Sequence, residues 1–373
     1  VKFIPINVPI IGDEEVRNVM NVLRSGRLTS RGGAGYYVVQ FERSFAKYVG
    51  VKNAVAVCSG TAALHATLLA LNMRPGDEVL IPSFAFVAVA EAVMMAGGTP
   101  VFVDVDLDTY CMSVDSFEEG ISRKTRAVIP VHLYGLTCDM DPISKIAREE
   151  DLVVIEDAAQ AHGAEYKGRK AGSLGDLACF SFYATKNLTT GEGGMVTTND
   201  RAMARVLRAI RNHGELTSYR SKYLGHNYRM NEIEAAIGLS QLSKLPMFLE
   251  ARRANAEILT DKLKDLENLQ LPSELSGRKH GWYVYTMRLK KAKSVRRNKV
   301  VGKLRSRGIE AVVYYPIPIH RMPYYRSKIR IGKGVLRNSE KLSQQVFSVP
   351  IHPRLKRREL DFVASTVRSV LRR

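Results

Sequence analysis

The chain has 373 residues, of which 45% are hydrophobic and 25% charged, with a formal net charge of +19 at pH 7. That length exceeds one ordinary domain core, and the composition excludes disordered and fibrous classes. No run nears the roughly 20 apolar residues of a bilayer-spanning helix, and Val1-Lys2-Phe3-Ile4-Pro5 lacks the basic-then-apolar order of a secretory leader, so a cytoplasmic setting is expected.

Four cysteines, Cys58, Cys111, Cys138 and Cys179, lie far apart without a CxxC pair. They read as reduced, buried thiols, and no structural metal is expected. Basic runs at 290–297 and 354–358 stand out. Solvated faces are the first reading of such runs, attraction of an anionic small substrate the second, and nucleic acid the last. No zinc-finger spacing, RNP-type aromatic motif or basic heptad array accompanies them.

In chain order, a helix is predicted over 13–24, opening on Asp13, Glu14 and Glu15, acids suited to a helix N-terminus. A glycine-rich loop covers 26–35, and a helix over 39–48 ends at Gly50. Short β-branched runs at 54–57, 78–81, 99–103, 127–131 and 152–155 then alternate with helix-length segments such as 62–71 and 88–96. Such alternation builds a mostly parallel, doubly wound sheet, and strands apolar throughout suit burial on both faces. Strands at 178–184 and 195–198 flank a turn at 189–194, a hairpin that makes part of the sheet antiparallel. Helical patterns follow at 231–242 and 246–266, then a strand region at 282–289 and helices at 295–307 and 355–371. The predicted fold is α/β, with a large domain over 1–245 and a smaller α/β domain over 246–373.

Three features carry chemistry. The run Val153-Val154-Ile155-Glu156-Asp157 places an acid at a strand's carboxyl end, where open α/β sheets bind ligands; alone, Asp157 reads equally as a helix cap. Lys186 follows an apolar strand and precedes a glycine turn, where desolvation would favour a neutral, nucleophilic amine; alone, it reads as a surface lysine. Ser59-Gly60-Thr61 joins a strand to a helix start, a place for an anion or simply an N-cap. Taken together, a lysine, a carboxylate and an anion cup are what pyridoxal phosphate (PLP) requires.

Several long segments now carry a resemblance: SGTAAL (59–64), PSFAFVA (82–88), HLYG (132–135), EDAAQAHGA (156–164), GSLGDLACFSFYATKNLTTGEGG (172–194), RNHG (211–214), GHNYRMNEIEAAIGLSQL (225–242) and YYPIPIH (314–320). The chain resembles the sugar-nucleotide aminotransferases, a branch of the fold-type-I PLP enzymes. The resemblance implies that Lys186 forms a Schiff base with PLP and relays the proton in a two-stage transfer, from glutamate to a keto group on a nucleotide-linked sugar. It implies that Asp157 pairs with the pyridine nitrogen and that Gln160 sits near the ring oxygen. Gly60, Thr61 and Ser181 would hold the phosphate and Phe86 would stack on the ring. Asn227 would reach the phosphate site of a neighbouring subunit, making a homodimer with shared active sites. His132, His162, Arg229, Tyr314, Tyr315 and His320 are candidates for the substrate pocket or, equally, buried polar residues. Ala85 departs from the family pattern, where a hydroxyl residue is common. Related pyridoxamine-dependent sugar dehydratases replace the lysine with histidine, so Lys186 argues against that branch. A cyclic keto-polyol substrate stays open, whereas a basic, non-catalytic binder would have no reason to keep Lys186, Asp157, Gln160 and Ser181 together.

Overall fold

The computed structural model describes residues 3–30, 32, 34–326, 330–332 and 334–371. Seven strands build the main sheet: β1 (Asn53–Val57), β2 (Glu78–Pro82), β3 (Thr99–Val103), β4 (Thr125–Val128), β5 (Val153–Asp157), β6 (Leu177–Ser181) and β7 (Gly194–Thr198). They lie in the order β1-β7-β6-β5-β4-β2-β3, and the two-residue strand Arg330–Ile331 extends the edge beyond β3. Strands β6, β5, β4, β2 and β3 run parallel, as the strand–helix alternation predicts. Only β7 is antiparallel to its neighbours, β1 and β6, which is the expected hairpin. Its neighbours are buried on both faces, and the helix Gly60–Ala70 beside it is apolar nearly all round because it too lies inside the molecule.

Three strand bounds differ from the sequence reading: the strand expected from 282 begins at Tyr285, and two others stop early. The strand expected over 178–184 stops at Ser181, where the chain breaks from the ladder into a turn closed by the Lys186 N–H donating to the Tyr183 carbonyl at 2.9 Å. The strand expected over 127–131 stops at Val128, with Val131 touching Asp157 through an isolated bridge. Past the ladder, Val131 and Tyr183 line a cavity while Ile129 and Phe182 pack in the core, and hydrophobic pattern alone does not separate such burial from a strand.

The two helices expected at 231–242 and 246–266 form one helix, Glu232–Leu263, which passes through Pro246 without a break. A proline costs one backbone hydrogen bond and crowds one turn. Packing against the helices Asp13–Ser25 and Tyr36–Val49 outweighs that local loss. Asn231 caps the helix, accepting the Glu234 N–H at 2.9 Å while the Glu234 carboxylate takes the Asn231 N–H at 3.2 Å. Residue 245 therefore falls inside a continuous helix. A second apolar cluster, including Leu259, Leu263, Tyr285, Met287, Phe347 and Val363, is built around the antiparallel strands β8 (Leu269–Gln270), β9 (Tyr285–Leu289) and β10 (Val346–Val349). Ile4 joins this cluster, its N–H donating to the Gly308 carbonyl at 2.8 Å, so the start of the chain packs with its end. No helix among the described residues is long and apolar enough to cross a membrane, and no group of three metal-ligating side chains occurs among them. Cys111, Cys138 and Cys179 are buried free thiols, and Cys58 is half-buried.

Candidate active site

A cavity of about 600 Å³ opens beyond the carboxyl ends of β5 and β6, against the N-terminus of the helix Gly60–Ala70. Parallel strands turn all their carboxyl ends the same way, which is why the loops carrying chemistry converge there. Lys186, Asp157, Gln160, Gly60, Thr61, Ser181, Phe86, Tyr314 and Tyr315 all line it.

Asp157 is the last residue of β5, and alternation along the strand turns it toward the cavity and Glu156 away from it. Its carboxylate accepts the Ala159 N–H at 3.1 Å. Burial pushes the Asp157 carboxyl above its usual range, and the Ala159 N–H, Lys186 and His132 pull it only partly back. A buried carboxylate so sparsely compensated is suited to a cationic N–H partner. On the opposite side Glu156 accepts the N–H groups of Gly172, Leu174 and Gly175 at 2.7, 2.6 and 2.8 Å, and His132 Nε2 lies 2.9 Å from it.

The anion cup is a backbone device. Ser59 Oγ caps the helix by accepting the Ala62 N–H at 3.0 Å, and helix geometry leaves the Gly60 and Thr61 N–H groups pointing out of the first turn. A Cβ on Gly60 would sit 2.7 Å from the Ser181 Cβ, so only glycine lets the helix start and the end of β6 approach this closely. Gln160 is held at both ends: Oε1 accepts the Tyr134 N–H at 2.8 Å, and Nε2 donates to the Tyr315 hydroxyl at 2.9 Å. The Tyr134 hydroxyl donates to the Tyr314 carbonyl, tying this corner to the C-terminal part of the chain. Burial raises the Tyr314 and Tyr315 phenols far above their usual range, so both are neutral hydroxyls. Phe86 is 56% exposed, a ring with one face open to the cavity, and lies 6.0 Å from the Tyr315 ring.

The remaining sequence candidates lie off the cavity wall. His132 is buried between Glu156 and the Cys138 N–H, which donates to its Nδ1 at 3.1 Å. His162 is buried against Phe180 and Phe182, and burial followed by the Lys186 charge pushes its pKa down to about 3, so its ring is neutral. His320 is buried with Nδ1 2.5 Å from Ser83 Oγ and Nε2 3.2 Å from Glu340. Arg229 donates to Asn212 Oδ1 at 2.8 Å, and the exposed Asn227 pairs with Asn212 in an isolated antiparallel bridge.

Residues 9–368 match the model of the DegT/DnrJ/EryC1/StrS aminotransferase family. The chain belongs to this family. It is similar to a GDP-perosamine synthase of Caulobacter vibrioides, at 42% identity over 90% of this chain and 91% of that protein. It is also 40% identical to a UDP-N-acetyl-3-dehydro-alpha-D-glucosamine 3-aminotransferase of Acidithiobacillus ferrooxidans, over 88% of this chain and 87% of the relative. Among solved structures, S. venezuelae DesV matches with a TM-score of 0.90 and 36% identity, covering 96% of this chain and 95% of that one. Solved neighbours include both PLP and pyridoxamine phosphate forms of one enzyme. The protein is a PLP-dependent aminotransferase of fold type I.

The aminotransferase fits its cofactor on its own geometry. The glycine-dependent cup suits a phosphate, the sparsely compensated Asp157 suits a protonated ring nitrogen, and the amine of Lys186 faces the same space. Sequence reasoning missed Tyr283, which reads there only as part of a strand. Its ring centroid lies 4.6 Å from Lys186 Nζ, and its hydroxyl is 2.9 Å from Thr185 Oγ1. Thr185 and Tyr183 sit within a quoted segment and line the cavity, yet nothing but their adjacency to Lys186 marks them. Tyr283 gives no local signal at all, because its role arises from a contact almost 100 residues away in the chain.

Proposed function

We propose that this aminotransferase moves an amino group from glutamate to the keto group of a nucleotide-linked sugar. The observation that carries the reading is the convergence of Lys186, Asp157 and the Gly60–Ser181 cup on one cavity, in a chain whose relatives are named for nucleotide-sugar products or substrates. Bound PLP supplies an electron sink for charge developing on the substrate carbon. Lys186 would anchor the cofactor and hold or deliver the proton at Nζ, which lies over the Tyr283 ring. Asp157 would keep a proton on the ring nitrogen. The Gly60 and Thr61 N–H groups and the Ser181 hydroxyl would hold the phosphate, and Phe86 would pack on the ring. Gln160, fixed between Tyr134 and Tyr315, would help orient it. Tyr314 and Tyr315 stand where a sugar would enter, and Asn227, exposed and off the cavity of its own chain, is available to the phosphate site of a partner in a homodimer.

The test is spectroscopic and in two halves. Glutamate should remove the visible cofactor band of the purified protein, and one member of a panel of keto nucleotide sugars should restore it with release of an amino sugar. A band indifferent to glutamate rules out that donor, and a band restored by free keto-polyols but by no nucleotide sugar rules out the substrate class.

A further inference from the structure

The positive surplus is segregated. Residues 1–287 hold 32 Lys and Arg against 33 Asp and Glu, whereas residues 288–373 hold 24 against four. A general basic drift in composition would spread the surplus over the chain, and it does not. All four acids of the last segment are engaged. Glu310 accepts the Ile6 N–H, Glu340 pairs with His320 and Arg321, Glu359 accepts the Lys356 N–H, and Asp361 pairs with Lys262 and Arg357.

The fold sets part of the excess on three neighbouring helices. The helix Ser294–Arg305, with no acid in it, packs beside the helices Arg337–Gln345 and Arg357–Leu371. Arg296, Lys299 and Lys303 recur at helical spacing on its exposed face, and Arg337, Lys341 and Arg358 are exposed on the two neighbours. Among the described residues, the cavity wall takes none of this charge, Lys186 being the one cation on it.

We infer that this three-helix face docks the enzyme on an anionic lipid surface. A second copy of the chain is a poor occupant, because a two-fold contact would set the same positive patch against itself. Between phosphate-rich partners, the apolar residues among the cations favour lipid. Val295 is 65% exposed beside Arg296, and Val335 is 67% exposed just ahead of Arg337. A headgroup layer rewards apolar side chains set among lysines and arginines, and a nucleic-acid backbone does not. The exposed large hydrophobics on these three helices include no aromatic ring on which a base could stack.

The experiment is co-sedimentation of the PLP-loaded enzyme with vesicles of phosphatidylcholine containing about one quarter phosphatidylglycerol. The enzyme should pellet with these at about 50 mM salt, stay in solution with pure phosphatidylcholine, and be released at about 500 mM salt. The triple variant R296Q/K299Q/K303Q should partition about 100-fold more weakly, given the usual contribution of each cation near such a surface. Its cofactor band and turnover should be unchanged, which separates lost docking from lost folding. The inference is overturned if the parent stays in solution with anionic vesicles at low salt, if the variant binds as the parent does, or if duplex DNA at equal phosphate concentration strips the enzyme from the vesicles.

Discussion

On one side of β5 the Glu156 carboxylate is enclosed by three backbone N–H groups and His132; on the other, the neighbouring Asp157 faces a cavity with one N–H partner. The two acids are adjacent in one strand and both buried, and what separates them most is how completely the surroundings answer the charge. A saturated carboxylate holds the loop 172–175 in place and has nothing left to offer a ligand. A sparsely answered one is a standing demand for a cation, which a protonated pyridine nitrogen meets.

The largest expected effect lies on the cavity side. Lys186→Ala should remove the visible cofactor band and reduce turnover by roughly 10⁴-fold or more, read by absorbance and a coupled glutamate assay. Next comes the pair that tests the contrast directly. Asp157→Asn should lower kcat by about 10²- to 10³-fold while the protein stays folded. Glu156→Ala should do the reverse, costing more than about 3 kcal/mol in chemical denaturation because several buried donors lose their acceptor. Equal effects of both substitutions on turnover and on stability would erase the distinction.

The contrast also has a pH sign. Burial raises the folded-state pKa of Asp157 above its ordinary value of 3.8. The cofactor-free protein therefore bears almost no penalty well below pH 3.8 and an increasing one as pH rises toward the folded pKa, present in full only above it. Cofactor-free Asp157→Asn should accordingly withstand more urea than the parent at pH 7 and lose that advantage at pH 3.5, while gaining less than the parent on adding PLP.

Smaller effects sharpen the picture. Gly60→Ala should weaken PLP binding about 10- to 100-fold, since the new methyl group must push β6 and the helix start apart; fluorescence titration of the cofactor-free protein reads it. Tyr283→Phe keeps the ring over Lys186 and removes only the bond to Thr185, so kcat should fall about fivefold, in line with one hydrogen bond. Tyr283→Leu should cost more than Tyr283→Phe; the opposite order would show that the ring itself contributes nothing.

Most of the sheet was legible because its signals are local: apolar runs of strand length, helix-length spacers and glycine turns read correctly at β1, β2, β3 and β7. The misreadings share a cause. The strand ends at Ser181 and Val128 and the unbroken helix through Pro246 were decided by what packs against them, not by neighbours in the chain. Among the site candidates, those in the loops after the main-sheet strands came together and Tyr314 and Tyr315 joined them from the C-terminal part of the chain, while His132, His162 and His320 sit in enclosed positions that their residue type could not reveal.

The amino-acid sequence by itself pointed to the kind of protein this is, through Lys186, Asp157 and Ser59-Gly60-Thr61 taken together inside long segments that resemble one family, since each of those segments is recognised from its own residues. Tertiary structure alone decided that Glu156 is answered by three backbone N–H groups and Asp157 by one, that Tyr283 lies over Lys186, and that exposed cations of three helices become neighbours. Those facts depend on which distant segments meet, and burial or contact between segments far apart in the chain leaves no periodic mark in either one.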